Sequence, residues 1–389
     1  MPRLLPDNPN LEYLKREAKD LLASLRETDP DATLSAAQAV LADQYGFRTW
    51  PDLKAEVDRR RAEVPVGDPA LATALADAYG LGGVRSISPV SFSLMGRSWR
   101  LDTDRGAVLA HPVFDYFTEA ASARSIDLMD RARAAGVATP IAVRTPAGAL
   151  LAEIDGTKWR VDEWLETGPA PVQPVRADHA RKAGTVVGTV HRIAPPTDDE
   201  LHWHLAHRHP DDAWDALFER ARAANMPWLD DFIRIVPTIN ELRAVHGDEP
   251  PGGRRVCQSD LNLEAVRLGP DGELVVVHWD FAGPHVPEWE IGSVALQWVV
   301  PTTNPAVARA FAEGYAAGFG SFPTLQLTSF TVAVSQWLNW FHARMCEAID
   351  PSDAELGTYS EGEVRRELAD PLTVAKLERV LEAWATASR

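Results

Sequence analysis

Two neighbouring stretches of the chain decide its fold. They read Val256-Cys257-Gln258-Ser259-Asp260-Leu261-Asn262-Leu263-Glu264-Ala265-Val266 and Val275-Val276-Val277-His278-Trp279-Asp280-Phe281-Ala282-Gly283-Pro284. Between them lies Gly269-Pro270-Asp271-Gly272, and Asp-Gly between apolar runs is typical of a β-hairpin. The sequence therefore predicts a hairpin that carries polar side chains, set in a region whose pattern is otherwise helical.

Upstream of this hairpin the residue pattern changes from strands to helices. A long helix is predicted at 114–135, and from Arg176 onward the pattern is helical almost throughout. Strands are predicted at 90–94, 98–101, 106–109, 141–144 and 150–153. This order predicts an α+β fold with a small sheet lobe and a larger helical lobe.

The first 63 residues have helical spacing of their own. Apolar residues recur from Leu11 to Leu25, and further helices are predicted at 35–45 and 52–61. This part is similar to a bacterial helical segment that is often found ahead of other domains. We expect an accessory unit that could mediate self-association or the docking of a partner.

The hairpin resembles the active-site hairpin of the aminoglycoside phosphotransferase and choline kinase family. That family typically reads His-Gly-Asp-Leu-His-Pro-Gly-Asn-Val, a strand, Ile-Asp-Trp, and a Gly-containing loop before an acidic residue. The spacing matches as far as Pro287-Glu288-Trp289-Glu290-Ile291-Gly292. Supporting matches are 98–109 for two strands, 161–168 for the hinge and 187–191 for the following helix.

The resemblance covers about residues 68–389. It implies a two-lobed protein-kinase-like fold behind an N-terminal helical extension. The implied divisions are 1–63 (helical accessory unit), 64–168 (small lobe and hinge) and 169–389 (helical lobe).

In phosphoryl transfer a carboxylate orients the attacking hydroxyl and takes its proton, while a metal and a lysine hold the phosphates. The resemblance places Asp260 on the catalytic aspartate, although an Asp can also simply bond its own turn. It places Glu290 on a structural acid that braces the catalytic loop. The metal-binding asparagine falls on Ala265 and the metal-binding aspartate on His278, whose imidazole is a poor Mg²⁺ ligand.

The other half of the family's nucleotide clamp is also altered. The lysine position falls on Ala110, with His111 beside it. Glu119 occupies the place of the helix glutamate and, without its lysine, is expected to be a solvated helical Glu. Compensation would require Lys158 or Arg100 to reach a phosphate and Asp280 to reach a metal.

Three functions follow, in order of preference. The first is a kinase-fold protein that binds or transforms a small molecule in the interlobe cleft without ATP, using Asp260 and His278. The second is an active ATP- and Mg²⁺-dependent phosphotransferase acting on a small-molecule hydroxyl. The third is a non-catalytic interaction protein.

Under the first hypothesis no cofactor is expected, and Asp260 and His278 could form an acid–base couple in which the carboxylate favours the protonated ring. Alternatively, His278 merely fills the vacated metal position. Further candidates for the substrate cleft are Asn262, Asp280, Trp337 and Trp340, and the histidines at 202, 204, 207 and 209 could line it.

Composition limits the partners. The 389 residues carry a formal charge of −17, which disfavours nucleic acid and anionic membranes. No apolar run approaches the ~20 residues of a membrane span, and the start does not resemble a signal peptide. Two cysteines make no disulfide framework, so we expect a cytoplasmic protein with a small-molecule ligand.

Overall fold

The computed structural model describes Leu5, Pro9 and residues 11–27, 29–62, 67–93, 95–299, 304–322, 324–352 and 354–387. The chain forms two compact units. The first, here called the sheet unit, comprises Pro2–Lys182 and Asp260–Gly283. The second, the helical unit, comprises Ala183–Ser259 and Pro284–Arg389. The hairpin therefore belongs with the sheet, although its sequence neighbours belong with the helices.

The secondary-structure elements can be given in chain order. The first part contains α1 (Leu11–Leu25), α2 (Leu34–Gln44), α3 (Trp50–Ala62), α4 (Pro69–Tyr79), β1 (Val84–Ser93), β2 (Gly96–Thr103), β3 (Gly106–Val113), α5 (Glu119–Ala134), β4 (Ala142–Val143), β5 (Leu151–Ile154) and β6 (Thr157–Glu163). The second part contains α6 (Ala177–Ile193), β7 (Pro196–Thr197), α7 (Trp203–Ala206), α8 (Asp211–Ala223), α9 (Leu229–Arg243), β8 (Arg254–Cys257), β9 (Val266–Leu268), β10 (Leu274–Val276), β11 (Gly283–His285), α10 (Pro287–Trp298), α11 (Pro305–Phe319), a 3-10 turn (Leu327–Phe330), α12 (Thr331–Ile349), α13 (Ala354–Ala369) and α14 (Val374–Ala387).

The main sheet is antiparallel, with strand order β1-β2-β3-β6-β4 and β5 also paired to β6. In its register His111 of β3 lies opposite Arg160 of β6, and Leu109 lies opposite Asp162. Directly opposite residues share a face of the sheet. These four side chains therefore lie on one face, while Ala110 and Val161, which lies opposite it, turn to the other.

The other face of the sheet packs on α4, a helix that the sequence pattern did not predict. Asp68 caps its first turn by accepting a hydrogen bond from the Ala70 N–H, Pro69 stands at the first turn, and Gly80 ends it at φ 62°. The core formed here contains Ala72, Leu75, Ala76, Tyr79, Leu81, Trp99, Leu101, Val108, Ala110, Trp159 and Val161. This core fixes the strands whose opposite face carries the polar residues.

The helical unit is built by close helix contacts around large buried side chains. A Cβ added at Gly184 of α6 would overlap the carbonyl oxygen of Phe311 in α11, so only glycine permits this approach. Fully buried aromatic residues include Trp228, Phe232, Trp298, Phe311, Tyr315, Phe330 and Phe341. A small sheet of order β11-β8-β7 lies next to this core.

Most predicted elements are present. β9 and β10 pair antiparallel around Gly269–Gly272, which confirms the hairpin. The helix predicted from residue 114 begins only at Glu119, because the Thr118 hydroxyl caps it and Phe114 instead stacks on Tyr116 with ring centroids 5.1 Å apart. None of the described helices combines the length and the apolar character that crossing a bilayer requires. The α+β class with N-terminal helices is confirmed.

Candidate functional site

The sheet unit contains a cavity of about 440 Å³. Its walls come from the N-terminal helices, β1 to β3, the segment after β6 and the hairpin. The lining residues with ionisable side chains are Glu17, Arg100, His111, Asp162, Glu163, Glu166, Glu264, Arg267, His278 and Asp280. Apolar and aromatic surface is supplied by Leu14, Tyr13, Tyr45, Val90, Leu109, Trp164 and Val277, among others.

A buried arginine lies between two of these carboxylates. Arg160 is 1% exposed; its Nη1 donates to Asp280 Oδ1 at 2.6 Å and its Nη2 to Asp162 Oδ2 at 3.0 Å. Burial alone would raise the pKa of Asp280, but Arg160 and His111 outweigh it and hold that pKa well below its usual range. The Arg160 guanidinium is thus shared by the side chains of Asp162 and Asp280.

His111 completes this group. Its Nε2 lies 3.5 Å from Asp280 Oδ2, and its Nδ1 lies 3.9 Å from Asp162 Oδ2. Ala110, on which the resemblance places the family's lysine, is instead fully buried in the apolar core. The cavity side of β3 therefore carries His111, one residue beyond the aligned position.

His278 also lines the cavity, and its ring is exposed there. Desolvation by the protein around the ring, together with Arg267, lowers the pKa of His278 below its usual value even though Asp280 opposes this. The imidazole is therefore neutral at pH 7.

Asp260 and Asn262 are not part of the cavity wall. The Asn262 amide donates to Asp260 Oδ1 at 2.9 Å, and Asn262 Oδ1 accepts the N–H groups of Glu264 and Ala265. These bonds organise the turn before β9. A catalytic role for Asp260 stays a prediction, as does its coupling to His278.

Glu290 is positioned to hold the loop that ends at Asp260. It is 2% exposed; its Oε1 accepts the Ser259 N–H at 2.5 Å, and its Oε2 lies 2.5 Å from His191 Nε2. Ser259 has φ 70°, an uncommon backbone conformation for serine. Burial would raise the pKa of Glu290, but His191 and the Ser259 N–H lower it to about 2.

The same cluster is the one in which described residues could converge on a metal ion. Ligand atoms of His191, Cys257 and Glu290 all lie within 4.8 Å of one another. However, both oxygens of Glu290 already take part in short contacts with Ser259 and His191. Burial and the Glu290 charge also raise the pKa of the Cys257 thiol well above its ordinary value, which disfavours the thiolate that a metal requires.

Lys158, which could compensate for the missing lysine, and Glu119, which the resemblance places on the helix glutamate, have contacts of their own. Lys158 Nζ donates to the carbonyls of Asp115 and Phe117. Glu119 is exposed, but it is not simply solvated as expected, because it accepts the N–H groups of Leu150 and Leu151.

Arg100 does line the cavity. It lies 4.7 Å from the centre of the Trp164 ring and pairs with Asp102 and Glu166.

The remaining candidates lie in the helical unit. The Trp337 indole donates to Glu367 at 2.8 Å and stacks on Phe341, and Trp340 is half-buried on the same helix. His209 stacks on His342 with ring centroids 3.8 Å apart, and burial together with the neighbouring imidazoles lowers the pKa of His209 to about 4. The side chain of His204 lies outside the described residues. A cleft role for Trp337, Trp340 and the histidines stays a prediction.

Sequence reasoning missed Arg160 and Asp162. A signal was present, because Arg160 and Asp162 alternate along a strand whose intervening residue is Val161, and such alternation places both polar groups on one face. Their partner Asp280 lies 120 residues further along the chain from Arg160.

Comparison with known proteins gives one family. A family model described as the phosphotransferase enzyme family matches residues 87–327. No curated protein matches the sequence.

Several solved structures are similar to the fold. A spectinomycin phosphotransferase, APH(9)-Ia, solved with ADP and spectinomycin, has TM-score 0.53 and 12% identity, over 82% of this chain and 99% of that one. An aminoglycoside phosphotransferase from Alicyclobacillus acidocaldarius has TM-score 0.52 and 11% identity, over 84% and 97%. A microcompartment-associated aminopropanol kinase has TM-score 0.53 and 14% identity, over 82% and 98%. At these identities the likeness shows the kinase-like fold alone.

Proposed function

Since this chain belongs to the phosphotransferase enzyme family, we propose that it uses that family's fold to bind a small cationic molecule in the cavity of the sheet unit, without ATP. The observation that carries the proposal is the position of Arg160 between Asp162 and Asp280. Both carboxylates are committed to one buried guanidinium, and freeing either of them for Mg²⁺ would leave buried charges uncompensated.

The residues that would hold Mg²⁺ and the phosphates do not fit that role. Ala265 has no ligand atom, His278 offers nitrogen where Mg²⁺ prefers oxygen, and Ala110 is turned into the core. A hydrogen bond to a charged group is worth roughly 1.5–3 kcal/mol, and the methyl side chains of Ala110 and Ala265 can supply none to a phosphate or its metal. These substitutions support weak binding of the nucleotide.

The charge of the wall supports a cationic ligand. Six carboxylates line the cavity against two guanidinium groups in the wall, and Arg160 behind the wall adds a third guanidinium that Asp162 and Asp280 share. The carboxylates still outnumber the cations, and the histidine His278 is neutral. The carboxylates are Glu17, Asp162, Glu163, Glu166, Glu264 and Asp280; the guanidinium groups are Arg100 and Arg267. Such a wall attracts cations and repels polyphosphates.

The volume and the apolar surface of the cavity indicate the size of the ligand and the character of its uncharged part. About 440 Å³ falls in the range of roughly 300–1,000 Å³ that is usual for small-molecule pockets. Trp164, Leu109 and Val277 present flat or apolar surface. An aromatic or aliphatic amine matches both the surface and the charge.

Calorimetry with three matched probes tests this proposal. Tryptamine carries an ammonium on an indole ring, tryptophol replaces it with a hydroxyl, and indole-3-acetate carries a carboxylate. We expect tryptamine to bind at least about tenfold more tightly than tryptophol and indole-3-acetate not to bind, because one charge-assisted bond supplies about 1.4 kcal/mol or more. Mg·ATP should bind with a Kd weaker than about 1 mM. Micromolar binding of Mg·ATP with no preference for tryptamine would overturn the proposal.

An ATP-dependent phosphotransferase is the second candidate. It is favoured by family membership and by the location of Arg160 and His111 on one sheet face, near the position that the resemblance gives to the family's lysine. Release of ADP from ATP on addition of an amino alcohol, abolished by Asp260→Asn, would establish it. No ADP release with a panel of amino alcohols at millimolar ATP favours the first proposal.

A further inference from the structure

The N-terminal helices are anchored next to the cavity. Val172, which follows the predicted hinge, packs into an apolar cluster with residues of α1 and α2. The other buried members of this cluster are Ala18, Leu21, Ala37 and Leu41. The Ser24 hydroxyl donates to the Pro174 carbonyl at 2.5 Å, and the Gln44 amide donates to the Gln173 carbonyl. The helices thus hold one position on the segment 170–176 of the sheet unit.

This anchoring directs one face of α1 into the cavity. Tyr13, Leu14 and Glu17, at helical spacing, line the wall together with Tyr45 from the end of α2. The ring of Tyr13 is 43% exposed. Large aromatic rings on a cavity wall bury much apolar area when a ligand covers them.

Glu17 brings a fixed acid to this wall. It is 3% exposed, and its Oε2 accepts a hydrogen bond from the Tyr45 hydroxyl at 3.0 Å. Burial raises the pKa of the neighbouring Asp20, and the charge of Glu17 adds to that increase against the opposing effect of Arg176. The carboxyl group of Glu17 therefore lies on the wall in an orientation that the Tyr45 hydroxyl fixes.

We propose that the N-terminal helices are the specificity-determining wall of the ligand site. Tyr13 and Tyr45 cover the apolar body of the ligand, and Glu17 pairs with its ammonium group. The inference rests on the proposed cavity function and assigns the selection of the ligand to the N-terminal helical segment.

Full-length variants test this assignment by calorimetry with tryptamine and tryptophol. Tyr13→Ala should weaken both probes by about fivefold or more, because a stacking surface is removed whatever the charge of the ligand. Glu17→Gln should weaken tryptamine by about tenfold and leave tryptophol unchanged, because only the ammonium uses the carboxylate.

Two matched variants serve as controls. Tyr116→Ala removes a tyrosine of the same unit that is 45% exposed and lies outside the wall. Glu12→Gln removes an acid of α1 that pairs with Lys15 and also lies outside the wall. Both should bind as wild type. If circular dichroism shows that Glu17→Gln is unfolded, Tyr45→Phe is used in its place. This variant keeps the aromatic ring but removes the hydroxyl that orients Glu17, so it should reduce the preference for tryptamine over tryptophol.

The possible outcomes separate this inference from the function on which it rests. If the wild type binds tryptamine and Tyr13→Ala and Glu17→Gln bind it equally well, the proposed role of the helices is wrong but the proposed function of the cavity still holds. Failure of the wild type to bind either probe overturns both. Selective losses in the wall variants, with unaffected controls, establish the wall.

Discussion

Replacing the buried arginine gives the sharpest test of the charge group at the cavity. In Arg160→Met the side chain volume is nearly kept, but Asp162 and Asp280 remain buried without their cation. Breaking a buried pair in this way costs about 3–5 kcal/mol. For a unit of this size 1 kcal/mol corresponds to about 2–4 °C, so the melting temperature should fall by roughly 6–20 °C.

The pH dependence of that loss identifies its cause. In the wild type the pKa of Asp280 is depressed, so its contribution to stability is present above the unfolded value of ~3.9 and is lost only as pH falls towards the native pKa. In Arg160→Met the guanidinium no longer offsets the burial of Asp280, which raises the pKa of that carboxyl group, so the penalty grows as pH rises above ~3.9. The difference in unfolding free energy between the two proteins should therefore be at least about 1 kcal/mol smaller at pH 4.5 than at pH 7.

Urea unfolding followed by circular dichroism at the two pH values measures this. Arg131→Met is the control, because Arg131 pairs with Asp127 at 2.7 Å but is 51% exposed; it should cost no more than about 0.5 kcal/mol. Arg160→Met/Asp280→Asn should recover part of the loss. A cost below about 1 kcal/mol, or one equal at both pH values, would refute the ion-pair argument.

Three further predictions concern Glu290, the contact between α6 and α11, and Asp260. Glu290→Gln weakens two charge-assisted bonds and should destabilise the protein by about 2–4 kcal/mol at pH 7. Because the native pKa of Glu290 is about 2, this cost should shrink as the pH falls from 5 to 2. The unfolding free energy measured across this pH range tests it, and a constant cost would contradict it. Gly184→Ala should destabilise the protein by about 1–3 kcal/mol or more, because the added Cβ overlaps Phe311. Gly362→Ala is the control: its Cβ would meet nothing within 4 Å, and it should stabilise α13 by about 0.5–1 kcal/mol. Equal effects of the two variants in thermal melts would count against the close packing of α6 and α11. Asp260→Asn should leave the Kd of tryptamine within about twofold in calorimetry, because Asp260 is not in the cavity wall, and a larger loss would bring Asp260 into the ligand site.

Local patterns in the sequence were sufficient for much of the architecture. The helical spacing from Leu11 to Leu25 predicts a helix there, which is α1, and the Asp-Gly turn at 271–272 predicts the pairing of β9 with β10. These features depend on neighbours a few residues apart, which side-chain periodicity and turn chemistry specify directly. The order and spacing of the motifs likewise led to the family that the comparison confirms.

The contents of the cavity depend on contacts that no local pattern contains. Arg160 meets Asp280 only after β6 and the hairpin have come together in the sheet unit, and α1 reaches the cavity only because its apolar face docks on Val172. The face that Ala110 and His111 present was decided by strand register, since one residue of displacement exchanges the core side for the cavity side. The sequence shows which residue types stand at each position, whereas the folded sheet determines which charged groups meet at the cavity.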